Sequence, residues 1–479
     1  MVSVSSTLWG FLSLALAQRR LTPQTNTFNS NYELPGDITS LAAFDDDDVN
    51  NINIAVRFEQ SNWATGSVLS DPFYTDLPPK AKTAPAGSVI KVEEVTEVGN
   101  YTIAPTLSLS RIVYQSKSLN GTLVPVSGYI LWPYHPRNGA KRVPLVAWGH
   151  GFSGFVPECA PSHIRNLWYQ FSGPYELALS GYAVVASDYA GLGVSKDAHG
   201  RTIYHETSSN PAAGQDLLFA AQAAQSAFSD SLTKDFVVMG HSQGGGAAWG
   251  AAQQQVKLKI PGYKGAIAIS PIARPVDQVR GTTYTNVLFA ESILALYPDL
   301  KRKDVLTDEG EKVLKVIKDT QGCQSTLSEV VQAFAKQNPT LPWGNPAFEN
   351  NTNLLAWEKM INLGGKDFKG PLLVIQGESD PVTPEPLTTR AVKKTCKAYP
   401  KKKLDYVTAR GIGHVPVMYA SRQVWLDWLD ECFSGKGCKD DKGKCSTSII
   451  GDKAPRPLDS YTGELSYFLS PALEGYEIA

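Results

Sequence analysis

The sequence has no excess of either charge, no long apolar run and no closely spaced cysteine pair, and each absence removes a class of function. Lys and Arg number 45 against 46 Asp and Glu, a formal net charge of −1. The basic surplus of a general nucleic-acid binder is therefore missing. No uninterrupted apolar stretch reaches the ~18 residues that a spanning helix needs. None of the six cysteines lies in a CxxC pair, so zinc-ribbon and dithiol redox readings are weak. There are no internal repeats. What is present is a chain of 479 residues, 42% apolar and 10% aromatic. That is too apolar for disorder and long enough for a large core. At roughly 150 residues per domain it would hold about three domains, although an α/β fold often carries more in one.

Residues 7–17, Thr-Leu-Trp-Gly-Phe-Leu-Ser-Leu-Ala-Leu-Ala, form a short apolar run ending in a small-x-small pattern before Gln18. This predicts a signal peptide over 1–17, although no Lys or Arg precedes the run. Arg19-Arg20 behind it is a candidate processing pair. An even number of cysteines (Cys159, Cys323, Cys396, Cys432, Cys438 and Cys445) predicts a disulfide framework in a secreted protein. Cys438 and Cys445 flank a Lys/Gly/Asp-rich loop and are read as a local bridge. Glycosylation sequons start at Asn100, Asn120 and Asn350, another sign of a secreted surface.

Residues 18–85 are polar and read as an N-terminal extension. The charge run Asp45 to Asp48 is a solvated loop or a helix N-terminus, without metal-site spacing. From residue 86 strand signals appear at Ser127–Trp132, Val143–Trp148, Ala183–Ser187, Phe236–Met239, Ala266–Ser270, Leu372–Gln376 and Leu404–Ala409. Several are apolar throughout, as strands buried on both faces must be. Helical stretches such as Gly214–Phe228 and Gly244–Gln255 lie between them. The alternation predicts an α/β protein with a doubly wound, mostly parallel sheet. It breaks over 273–368, which reads helical at Val287–Leu296, Gly310–Asp319 and Leu327–Lys336. A helical insert there is expected to cap the strand C-termini, where such sheets bind ligands. The core would then comprise 86–272 and 369–433, with an irregular tail over 434–479.

The most informative stretch is Asp235-Phe-Val-Val-Met-Gly240-His241-Ser242-Gln243-Gly244. An apolar strand meets a run of small residues that opens a helix, with glycine two residues to either side of Ser242. This is the G-x-S-x-G nucleophile elbow, a strained turn that lifts a serine Oγ above the sheet and leaves no room for flanking side chains. A serine hydroxyl needs a base, and the base needs an orienting acid. In this arrangement they follow in the order acid, then histidine. Asp380, in the loop after the strand Leu372–Gln376, is the expected acid, with Glu378 as runner-up. His414, between Gly413 and Val415, is the only histidine after Asp380. An oxyanion hole is expected from the backbone N–H groups of Gln243 and of Phe152, in the loop Gly149-His-Gly-Phe-Ser-Gly154.

That loop also spells G-x-G-x-x-G, and Asp188 ends the next strand as a ribose-binding acid would. Pro157 and Pro161 interrupt the helix a dinucleotide site requires, and the spacing to Asp188 exceeds the usual ~20 residues. Asp188 is instead expected to bond backbone amides at a turn. His241 is expected to pack, and His199 and His205 receive no role.

Taken together, the HGF loop and the motifs SDYAGLG, GHSQGG, GESDPVTP and GIGH resemble the fungal secretory lipase family over roughly residues 85–433. Members are α/β-hydrolases with a helical cap. The resemblance implies carboxylic ester hydrolysis by Ser242, Asp380 and His414, without metal or organic cofactor. The implied partners are a small-molecule ester and a lipid interface. The family includes triacylglycerol lipases and is similar to esterases that deacetylate fungal metabolites such as trichothecenes. A peptidase, an acyltransferase and a non-catalytic binding module remain alternatives, since fold alone does not give function.

Overall fold

The computed structural model describes residues 30–279, 287–435 and 443–463. The signal-peptide reading of 1–17 and Cys438 lie outside the described residues.

Ten strands form one sheet: β1 (Val89–Glu93), β2 (Ser108–Lys117), β3 (Leu123–Trp132), β4 (Val143–Gly149), β5 (Ala183–Ser187), β6 (Leu232–His241), β7 (Tyr263–Ile269), β8 (Leu372–Gly377), β9 (Leu404–Ala409) and β10 (Cys445–Ile450). Their spatial order is β1-β2-β3-β5-β4-β6-β7-β8-β9-β10. The first three pair antiparallel, as does β3 with β5, and the rest are parallel. The chain winds outward in both directions from β4, so the loops after β4 and β6 meet at a switch point, the usual place for a site.

The helices explain why the central strands are apolar on both faces. α1 (Gly36–Ala42), α2 (Asp46–Ser61) and α3 (Pro72–Thr75) precede the sheet, and α4 (Pro174–Leu179), α5 (Asn210–Ala227) and α6 (Gln243–Leu258) alternate with its strands. α7 (Pro275–Val279), α8 (Ala290–Leu296), α9 (Arg302–Val305), α10 (Asp308–Thr320), α11 (Gln324–Gln337) and α12 (Thr352–Ile361) all fall between β7 and β8. α13 (Glu385–Ala398), α14 (Pro416–Ala420) and α15 (Arg422–Ser434) follow. Along β4, Leu145 and Ala147 share a core with Leu217 of α5 and Trp249 of α6. The intervening Val146 and Trp148 face Leu177 of α4 and Trp425 of α15. Each such aliphatic side chain stabilises the fold by about 1.5–3 kcal/mol.

A third core is built by α7–α12 together with the N-terminal helices, joining Ile52 and Val56 of α2 to Val313, Ile317, Leu327 and Val330. The stretch read as a polar extension thus carries a buried helical face. Its charge run is a helix start: Asp45 accepts from the Asp47 and Asp48 N–H groups, and Asp48 answers as the second half of a capping box. Asp48 is buried and pairs with Lys336 at 3.1 Å. On the same helix the Glu59 carboxylate accepts the Cys323 and Thr326 N–H groups (both 2.9 Å) and the Thr326 hydroxyl (2.7 Å). It satisfies donors at the start of α11 that would otherwise be orphaned.

Two sequence expectations need correction. The tail read as irregular supplies β10, which pairs with β9 at the sheet edge. Cys445 opens that strand and bonds Cys396 of α13, not Cys438; a second disulfide joins Cys159 to Cys323. Cys432 is also disulfide-bonded. Asn100, Asn120 and Asn350 are all exposed.

Candidate active site

β6 ends at His241, and Ser242 takes φ 59° and ψ −119° before α6 begins at Gln243. That left-handed turn is a strained conformation for a serine. It stands because the neighbouring backbone leaves no alternative. Gly240 pairs with Gly149 of β4, and a Cβ at Gly244 would come within 1.9 Å of the Gly149 carbonyl oxygen. The Ser242 N–H donates to the Ile269 carbonyl at 2.9 Å, and its own carbonyl accepts from Gly246 at 3.0 Å. Sequence reasoning placed the clash at these glycines, and the structure shows what they clash with.

Asp380 lies in the loop after β8 and His414 in the loop after β9. Asp380 Oδ2 and His414 Nδ1 stand 2.8 Å apart, both residues buried. The carboxylate is held from every side. Oδ1 accepts the Val382 and Thr383 N–H groups (2.9 and 2.8 Å), and Oδ2 accepts the Thr383 hydroxyl (2.7 Å) and the Gln376 amide (3.1 Å). Burial works to raise its pKa, but His414 and the Thr383 donors outweigh it and hold the carboxyl at about 2. Glu378 is exposed, and its carboxylate accepts the Gly411 N–H at 3.0 Å, away from this pair. Thr383 and Gln376 carried no signal in the sequence beyond their nearness to Asp380.

In the loop after β4, His150 Nδ1 lies 2.6 Å from the Gly151 carbonyl oxygen. Burial lowers the His150 pKa to about 3, so the ring is neutral and its Nδ1–H donates. The C=O and N–H of a trans peptide point in opposite directions. His150 therefore turns the Phe152 N–H away from itself. Gln243 is buried at the start of α6, and its side-chain amide meets His205 Nε2 at 3.3 Å. His205 Nδ1 meets the Ala190 carbonyl at 3.0 Å, and burial keeps that ring neutral, with a pKa near 4. His205, given no role from sequence, is thus a buried partner of Gln243.

A pocket of about 90 Å³ opens over these loops. Phe152, Ser242, Ile272, Val382 and His414 line it from the ends of successive strands, while Pro275, Val279, Leu288 and Phe289 come from the α7–α8 region. Its volume is well above the ~10–15 Å³ that one water needs. Among the described lining residues none carries a carboxylate, and the polar ones besides the pair are Thr207, Ser208, Gln278 and Gln324, with Tyr169 and Trp168. The arrangement can hold a neutral, largely apolar group beside a serine and a histidine.

The dinucleotide alternative fails on geometry, because the first α-helix after β4 begins only at Pro174. Asp188 accepts the Ser162 N–H (2.8 Å) and the Ser127 and Ser162 hydroxyls, so it closes a turn as expected. Among the described residues no cluster of His, Cys, Asp and Glu has metal-site geometry, and no helix is long and apolar enough to cross a membrane.

No curated protein sequence matches the chain. Among solved structures, Candida antarctica lipase A in its closed state superposes with a TM-score of 0.61 at 18% identity, covering 82% of this chain and 92% of that one. The ligand-bound rice cell wall degrading esterase LipA from Xanthomonas oryzae gives 0.54 at 17% identity, covering 74% and 100%. At these identities the likeness is one of fold. Residues 170–415 match the family model described as serine aminopeptidase, S33, and that span runs from the turn before α4 through Ser242, Asp380 and His414. The chain belongs to this α/β-hydrolase family.

Proposed function

We propose that the protein is a secreted serine hydrolase that cleaves carboxylic esters through an acyl-enzyme on Ser242. The observation that carries this reading is the buried Asp380–His414 pair at 2.8 Å, whose His414 lines the same pocket as Ser242. Ser242 Oγ attacks the ester carbonyl and gives its proton to His414. Asp380 holds the imidazole with Nδ1–H toward itself and stabilises the charged ring that forms. The Phe152 and Gln243 N–H groups receive the oxyanion. His414 then protonates the leaving alcohol, and a water, deprotonated by the same ring, releases the acid. In this account α7–α12 are the cap, and Pro275, Val279, Leu288 and Phe289 form its apolar ceiling.

The family description raises a second reading, an aminopeptidase. A free α-ammonium buried in the pocket would need an anionic partner, and the described lining residues supply none. The pocket favours a neutral ester. The lipase and esterase named among the structural neighbours support the same choice by analogy of fold.

The test is initial-rate hydrolysis of p-nitrophenyl esters from acetate to palmitate by wild type and Ser242→Ala, with an aminoacyl p-nitroanilide beside them. A long-chain optimum marks a lipase acting at a lipid surface. Activity confined to acetate marks a deacetylase of a bulky alcohol, the trichothecene-type reading. Turnover of the anilide alone overturns the ester assignment.

A further inference from the structure

Just before α4 the chain passes through a strained turn whose central tyrosine reaches the loops of the site. Leu167, Trp168 and Gln170 have φ values of 53°, 70° and 46°. Such conformations cost roughly 1–3 kcal/mol each, persist only where the surroundings over-determine them, and cluster at functional sites. Tyr169 stands among them, buried, with its ring edge-on to Trp148 at 5.5 Å. Its oxygen packs against the Gly151 backbone. A Cβ on residue 151 would lie 2.1 Å from that oxygen, so only glycine lets the hydroxyl reach the backbone here.

From Tyr169 the hydrogen bonds continue to His241, whose Nδ1 lies 2.5 Å from the Tyr169 oxygen. His241 Nε2 lies 2.9 Å from the backbone carbonyl oxygen of His414. A carbonyl can only accept, so Nε2 carries the imidazole proton and Nδ1 accepts from the tyrosine. Each polar atom then has one role: the Tyr169 O–H donates to His241 and the His241 N–H donates to His414, while the tyrosine oxygen rests on Gly151. The three ends adjoin the chemistry. Gly151 precedes Phe152, His241 precedes Ser242, and the last acceptor belongs to His414 itself.

We propose that Tyr169 and His241 are positioning residues, a neutral hydrogen-bond chain that sets the oxyanion loop and the His414 loop against the Ser242 turn. The inference rests on the ester-hydrolase reading of that site. Burial, with His414 alongside, lowers the His241 pKa to about 3, so the imidazole stays neutral through the working pH range and is not a second base. Sites of this kind work only when held within about 0.5 Å of the productive geometry. A loosened chain shifts the reacting groups without emptying the pocket.

The experiment compares wild type, Tyr169→Phe, His241→Gln, His241→Ala and Ser242→Ala. It measures kcat and KM on a p-nitrophenyl ester, the inactivation rate by a fluorophosphonate, and the thermal midpoint. Tyr169→Phe is expected to lower kcat about 10–100-fold, the size of effect that small misplacements produce, with KM within threefold and inactivation slowed in step. His241→Gln, which keeps a donor for the His414 carbonyl, is expected to retain more kcat than His241→Ala, and it reads the chain from the other end if Tyr169→Phe does not fold. A kcat within twofold of wild type in folded Tyr169→Phe, or a loss expressed only in KM, overturns the proposal while Ser242→Ala stays inactive. An active Ser242→Ala overturns the reading of the site and this inference with it.

Discussion

Cys159 and Cys323 are joined by a disulfide across 164 residues of sequence, and the bond ties the loop that follows β4 to the start of α11. Both ends are held further. The Cys159 carbonyl accepts the Ser153 hydroxyl at 2.7 Å, one residue beyond Phe152, and the Cys323 N–H donates to Glu59. The loop after β4, the helical segment and the N-terminal helix α2 therefore meet at one covalent point. Replacing both cysteines by serine is expected to cost about 2–5 kcal/mol of stability. Urea denaturation of the double variant checks this, and an unchanged midpoint contradicts it.

Asp380→Asn keeps an oxygen for the Val382 and Thr383 N–H groups but presents no full negative charge to His414. The imidazole is then free to take the wrong tautomer. The expected result is a folded protein whose kcat falls by on the order of 10⁴, as for the equivalent change in well-studied triads. Steady-state kinetics on a p-nitrophenyl ester gives the number.

Stability should fall as pH rises from about 6.5 to 8. Burial raises the pKa of Glu59 to about 7, of Asp216 to about 7 and of Glu206 to about 8. These groups hold protons in the folded state that the unfolded chain has already released, which gives a negative slope; below about pH 6.5 the buried neutral His150, His205 and His241, protonated only in the unfolded chain, offset it. Asp380, held at about 2, acts in the opposite sense, but only at pH below about 4. The Glu206 carboxyl accepts the Leu119 N–H at 2.8 Å. Glu206→Gln keeps an acceptor there, so it should flatten the slope and be more stable than wild type at pH 8. Denaturation midpoints across pH decide it.

Gly244→Ala forces a methyl against the Gly149 backbone oxygen, which no flexible side chain can yield to. Overpacking of this kind costs roughly 1–3 kcal/mol. Because it parts the ends of β4 and β6, activity is expected to fall more than stability alone explains. Thermal melting and kcat measured on the same preparation separate the two effects.

The central strands were legible because a sheet covered on both faces writes itself as unbroken apolar runs, as in β4 and β8. The elbow was legible because its glycines are dictated by backbone contact. β2 was missed for the opposite reason. It buries Ser110, Arg111, Gln115 and Ser116, and they are tolerated because Arg111 pairs with Asp71 and Glu93 and Ser116 bonds Asp216. Those partners are distant in sequence. β10 was missed because its side chains are mostly exposed, and backbone pairing to β9 and the bond to Cys396 place it there. His241 reads as packing in a one-dimensional pattern, because its two partners, Tyr169 and the His414 carbonyl, come from other loops.

The central claim is that Ser242 is the nucleophile. Its most direct test is mass spectrometry of the protein after exposure to a fluorophosphonate, with the adduct located by proteolysis. The account predicts one adduct on the peptide that contains Ser242, absent in Ser242→Ala and formed far more slowly in His414→Ala. No adduct on active protein, or an adduct on another residue, would contradict it.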